Sequence, residues 1–242
     1  MKFTLSLLFI FCSLSLIAQR RGKRHVDGDL VYHAIRVRLT VPPYGLTKIQ
    51  ALINETKSNA GDNKAISKKD YDALSLREKF TYNIIHAETY SLSSDAESHE
   101  TDEDKKIFAY LPDAFYHYAW SERQTKFLSA NRDSVIAFMK ESMGRTKRAG
   151  VNFKQAMLEI NAREMIPFII ATYRAGKVKD LDLLTVLMQL MKDNEYEPFL
   201  LSGSYKKLYA EETSYKTYLN YSKGNEDLII KRATEFYNTN KK

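Results

Sequence analysis

Cysteine is nearly missing from this chain: the single one among 242 residues is Cys12, inside an apolar run at the amino end. Without that run the rest holds no thiol. It can form no disulfide, no thiolate metal site and no cysteine nucleophile. Small exported domains of eukaryotes more often carry disulfides, so the lack points to a bacterial envelope protein. Glycine (9) and proline (5) are also scarce, which argues against a turn-rich all-β fold and for long helices. There is no Gly-rich phosphate loop, no H-E-x-x-H pair, no G-x-S-x-G elbow and no Cys/His metal spacing. Those chemistries depend on local spacing and are excluded with it; a site assembled from distant helices is not. No cofactor and no metal are expected.

What is present at the amino end reads as an export signal. Lys2 supplies a positive start, residues 3–17 are mostly apolar, and Ala18-Gln19 offers a small residue at a cut point. The run is shorter than the roughly 20 residues that cross a bilayer comfortably. The expectation is therefore a signal peptide over 1–18 and a periplasmic or extracellular product. Phe11 stands where lipid attachment to Cys12 would need a small residue. Arg20, Arg21, Lys23 and Arg24 follow the run at once and resist translocation, which keeps an uncleaved membrane anchor as the alternative. Residues 19–29 read as a basic, disordered leader, with weak contact to an anionic membrane through the same four side chains as its functional reading. Formal net charge is +7, four of it in the leader. The remainder is nearly balanced, so no nucleic-acid face is indicated.

Residues 30–41 (LVYHAIRVRLTV) alternate apolar and polar and end at Pro42-Pro43, the pattern of a half-buried strand. Its β-branched residues disfavour a helix there. No second strand of that quality follows, so the segment should pair outside its own domain or lie as an arm over helices. Helix signals dominate from residue 46. Ser75–Glu78 and Ser121–Gln124 are capping boxes, in which serine and a residue three positions on satisfy each other's backbone amides. The first opens a helix to about Tyr90. The longest helix spans 152–175 and is kinked by Pro167. Residues 91–104 read as an acidic, mobile loop. The fold class is thus mainly all-α: a bundle or irregular array of about nine helices in a single domain over 30–242, with one extended segment near 30–41.

Three groups of side chains could carry function. Glu78, Tyr82, His86 and Tyr90 recur at steps of four on the 76–90 helix and would form one stripe able to bind a polar ligand or move a proton. The alternative is an amphipathic border with wet tyrosine hydroxyls. Residues 115–120 (FYHYAW) hold the only tryptophan; Tyr116, His117 and Trp120 could form a binding surface or plug the space between helix layers. Glu164 falls on the apolar face of the long helix and requires a partner, Arg163 or an arginine from another helix. His99 and its neighbouring carboxylates lack the spacing of a calcium hand. Glu78, His86 and Glu164 are the catalytic candidates, and Tyr82, His86, Tyr116, His117 and Trp120 the ligand-binding ones. The function expected is an exported envelope protein that binds another protein or a polymer without turnover. A carboxylate-dependent hydrolase of an envelope or extracellular polymer is the alternative.

Overall fold

The computed structural model describes residues 28–57, 63–91, 100–210 and 216–239. The expected signal peptide, nearly all of the leader, and His99 lie outside them. The chain is mainly helical with only short strands. No helix among the described residues is long and apolar enough to cross a membrane.

The element that organises the core is α9 (Asp182–Asp193), buried on every side from Asp182 to Met191. A helix without a polar face must be wrapped by others. Here α7 (Val151–Glu159), α8 (Ile166–Ala175) and α12 (Lys223–Thr239) pack around it. Leu184, Leu187, Phe153, Met157, Ile169, Ile229 and Phe236 form the main apolar cluster. A smaller cluster joins Ile49 of α2 (Leu46–Lys57), Tyr71 of α3 (Lys68–Asp72) and Tyr82 of α4 (Leu76–Ile85). α4 serves both, because Phe80 and Ile84 enter the main cluster while Tyr82 enters the other. Both expected capping boxes are present, on α4 and on α5 (Glu122–Ala130); α6 (Arg132–Thr146) follows.

The expected strand near 30–41 is corrected. Residues 28–36 form a helix, α1, and only the stretch beyond it is extended. The spacing that matters is Asp29, Tyr32 and Arg36, all buried, at the steps of three and four that share a helix face. Tyr32 Oη donates to the Lys179 carbonyl at 3.1 Å and accepts from the Leu181 amide at 3.2 Å. Arg36 Nε donates to Asp182 at 3.0 Å and its Nη1 to Glu103 at 3.3 Å. His33 Nδ1 meets the same Glu103 at 3.0 Å. Leu30 and Val31 face solvent at 52% and 61% exposure. The alternation was real, but partners for the polar residues decide which side faces in. Among the described residues the arm that follows pairs with no strand. Asn152 does that work instead, accepting from the Thr40 amide and donating to its carbonyl, each at 2.9 Å. Gly150 packs so tightly below that a Cβ there would lie 2.1 Å from the Thr40 nitrogen.

Two expected long helices are shorter than their periodicity suggested. The helix begun at Leu76 ends at Ile85, and His86 is extended. Three side chains take over carbonyls that a longer helix would have used. Trp120 Nε1 donates to Asn83 at 2.6 Å, Asn152 Nδ2 to Ile84 at 2.8 Å and Gln124 Nε2 to His86 at 2.9 Å. The 152–175 helix is not kinked but broken. Asn161 takes the left-handed conformation (φ 46°), a 3₁₀ turn spans Arg163–Met165, and Pro167 sits in the first turn of α8. There its missing N–H removes no bond. Two short helices follow α9: α10 (Glu197–Leu200) and α11 (Gly203–Tyr209).

Two antiparallel pairs complete the architecture. β1 (Thr89–Tyr90) pairs with β3 (Tyr118–Ala119), Tyr90 opposite Tyr118. β2 (Lys106–Phe108) pairs with β4 (Tyr218–Asn220), Ile107 opposite Leu219. Within the expected acidic loop, residues 92–99 lie outside the described structure. Glu103 opens a 3₁₀ turn and is buried against Arg36 and His33 instead of solvated.

At the start of α12, Glu226 gathers four donors. Tyr221 Oη donates at 2.7 Å, Tyr173 Oη at 2.9 Å and Lys223 Nζ at 3.0 Å, with Lys179 as the fourth. Burial opposes its ionisation, but these bonds together outweigh it and hold the carboxyl at about 2 against an ordinary 4.5. A depressed carboxyl stabilises the fold above the unfolded value, and the contribution fades as pH falls from 4.5 toward 2. Lys179 and Lys223 are 48% and 69% exposed, so solvent discounts the effect to about 1–2 kcal/mol. Glu226→Gln should lose that much in urea unfolding at pH 7, with the deficit closing at the acid end of the window. A constant deficit down to pH 2 would show that packing, not charge, accounts for it.

Candidate functional site

The segment between β2 and α5 rises over α7 and α9 and leaves a cleft of about 650 Å³ beneath it. Local bonds fix the shape of this segment. Gln155 Nε2 on α7 donates to the Pro112 carbonyl at 2.9 Å, and Gln189 Nε2 on α9 to the Ala109 carbonyl at 3.0 Å. Asp113 Oδ1 accepts from the Phe115 amide at 2.9 Å, an Asx turn. Tyr116 then takes a left-handed conformation (φ 56°), which reverses the chain into β3. The Ser91 amide donates to the His117 carbonyl at 2.7 Å and extends the β1–β3 pairing.

Rings form one wall of the cleft: Tyr110, Phe115, Tyr118 and Trp120. Phe115 and Trp120 meet edge to face at 5.6 Å, and the bond from the indole to Asn83 anchors the pair. Gln155, Leu158 and Glu159 come up from α7 on a single face, and Gln189 from α9. Two carboxyls therefore reach the same cleft. Burial pushes that of Asp113 above its ordinary range, against the pull of the Phe115 amide and of His117. Glu159 is exposed.

Phe115 and Tyr118 also line a second, smaller cleft of about 280 Å³, with Ile53, Thr56, Lys64, Ile85, His86 and Ala87. A third, of about 450 Å³, lies beside α1. There Asp29, Asp102 and Asp104 bring carboxylate oxygens within 4.8 Å of one another. Oxygen ligands of this kind suit a hard cation, but Lys105 Nζ already meets Asp102 at 2.6 Å and supplies the countercharge.

The residues expected to act are dispersed. Glu78 closes its capping box on the Ser75 amide at 2.8 Å and pairs with Lys48 at 3.0 Å. The Ser75 amide, then Lys48, holds its carboxyl below the ordinary range. Glu164 is clamped by Arg132, the arginine from another helix that its position required. Burial works against its charge, and the Arg132 bonds prevail, so its carboxyl is also lowered. His86 Nε2 meets the Lys64 carbonyl at 2.6 Å, and the imidazole lines the small cleft. These three have separate partners. Tyr82 is fully buried, donating to Glu88 at 2.7 Å, a carboxylate that Arg123 also grips at 2.9 Å. Tyr116 and His117 are exposed on the turn, whereas Trp120 stands in the large cleft. Tyr90, the last of the expected stripe, lies on β1.

Sequence reasoning passed over Tyr110, Asp113, Gln155, Glu159 and Gln189. Gln189 carried a usable signal, as a polar residue inside an otherwise apolar helix. The others became legible only when the 109–120 segment was placed over α7. Comparison with protein-family models, with curated proteins and with solved structures finds no match.

Proposed function

We propose that this chain is an exported bacterial envelope protein that binds a polymer without turning it over, and that the polymer is a saccharide chain seated in the aromatic cleft. The observation that carries this reading is the convergence of Tyr110, Tyr118 and Trp120 with Asp113, Gln155 and Gln189 around one space of about 650 Å³. Aromatic faces pack on the C–H faces of sugars, and amides and carboxylates take the hydroxyls. The size lies within the range of small-ligand sites. Export is supported by the apolar run before Ala18-Gln19 and by the absence of any cysteine after Cys12. Adding the 30–41 segment as a strand to another protein no longer supports a binding role, since that segment is α1 and a pinned arm.

Titration calorimetry with neutral β-1,4-linked oligosaccharides tests the reading. Tyr110 is exposed and touches Tyr209 edge-on at 5.6 Å, so Tyr110→Ala should keep the fold. It should weaken binding about tenfold, or 1.4 kcal/mol. No heat from any saccharide at millimolar concentration ends the proposal. Recovery of the unprocessed chain from the cytoplasm would end its export half.

Asp113 and Glu159 favour one second reading, a glycoside hydrolase. A carboxyl raised by burial that shares a cleft with a second carboxyl is the arrangement of an acid and its partner. Mass spectrometry of the saccharide after long incubation separates the two, because intact ligand eliminates hydrolysis.

A further inference from the structure

We infer that the ligand is an acylated saccharide: the sugar lies in the large cleft and its acyl substituent drops into the small one. This rests on the saccharide reading above and names the class of sugar.

The two clefts share Phe115 and Tyr118. Both spaces therefore reach the same two side chains, and a substituent on a sugar held against them has a short path from one cleft to the other. The two spaces differ in chemistry. The large one carries two carboxyls and the side chains of Gln155 and Gln189, whose NH2 groups already donate to the overlying segment while their oxygens accept. The small one has walls of Ile53, Ile85, Ala87 and the shared rings. Thr56, His86 and Lys64 are the polar residues along it, and the first two side chains are engaged within the fold. Thr56 Oγ1 donates to the Ile53 carbonyl at 2.8 Å, and His86 Nε2 meets the Lys64 carbonyl at 2.6 Å. A further sugar ring placed there would surrender its hydration for few new bonds, whereas an apolar group loses nothing. A space of about 150 Å³ holds a benzene-sized ligand, so 280 Å³ accommodates an acyl group of several carbons. The shared rings fix the point of attachment. The substituent leaves a sugar that already stacks on Tyr118, which matches an acyl group borne directly on a ring position and not one at the end of a long linker.

Titration of the full chain with four β-1,4-linked tetramers, all uncharged, tests this: glucose, and glucosamine carrying N-acetyl, N-propanoyl or N-butanoyl groups. Affinity should rise about fourfold for each added methylene until the small cleft is full. Ala87→Leu, which fills that cleft from its wall, should erase the rise and leave the glucose tetramer within twofold of its original affinity. Equal or falling affinity from acetyl to butanoyl overturns the inference while the saccharide reading stands, and so does a rise that survives in Ala87→Leu. If no tetramer binds, both fall. The acyl series is read on the unaltered protein, so its outcome does not depend on whether the variant folds.

Discussion

Lys154→Met should unfold about 3–5 kcal/mol more easily than the parent protein in urea at pH 7. Lys154 is fully buried on α7. Its ammonium donates to Asp180 Oδ1 at 2.6 Å and lies 3.6 Å from Asp182 Oδ2. Methionine fills similar space, so the cost is electrostatic: two carboxylates lose a shared cation in a place with little water. Asp182 keeps Arg36, but Asp180 keeps only the weaker pull of Arg148. Burial already raises the Asp180 carboxyl above its ordinary range, with Lys154 as the main opposing influence. Without the lysine it should rise further. A raised carboxyl destabilises the fold increasingly as pH climbs above the unfolded value of 3.8. The deficit of the variant should therefore be smallest near that pH and grow toward neutrality. A loss below 1 kcal/mol at pH 7, or one independent of pH, would mean that the charges are not what holds α7 against the start of α9.

Phe153→Ala should cost about 3–5 kcal/mol by opening a hole in the main cluster. Phe153 is fully buried, its ring 6.0 Å from that of Phe80 on α4. At this chain length each kcal/mol moves the midpoint by roughly 2–4 °C, so a fall of about 6–20 °C is expected in calorimetry. The same helix presents Gln155, Leu158 and Glu159 to the aromatic cleft. Saccharide binding should therefore weaken in a protein that is still folded at 25 °C. A melting point within 2 °C of the parent would contradict the central place given to α7.

What could be read in advance was whatever is decided within a few residues. Ser75 and Glu78, or Ser121 and Gln124, satisfy each other across a single turn, and no distant partner alters that. Where distant groups decide, the pattern misled. α4 stops at Ile85 because Trp120, Gln124 and Asn152 claim its carbonyls. The β-branched alternation of 30–41 yielded to Tyr32 and Arg36 finding partners some 146 positions away. The cleft shows the same limit. Trp120 stood out in the sequence, but Asp113 and Glu159, 46 positions apart by number, meet only because Gln155 and Gln189 hold the overlying segment in place. Glu164 does meet an arginine, Arg132, but from a 3₁₀ turn with its side chain 39% exposed and not from the apolar face of a long helix as expected.

The inverted orientation of α1, greasy side out and guanidinium in, determines where this polypeptide tolerates shortening. A cut at residue 37 would spare nearly the whole oily interior yet strip Asp182 and Glu103 of the Arg36 cation that neutralises them. Counted by hydrocarbon, the first turns are dispensable; counted by charge, they are the stopper of the vessel.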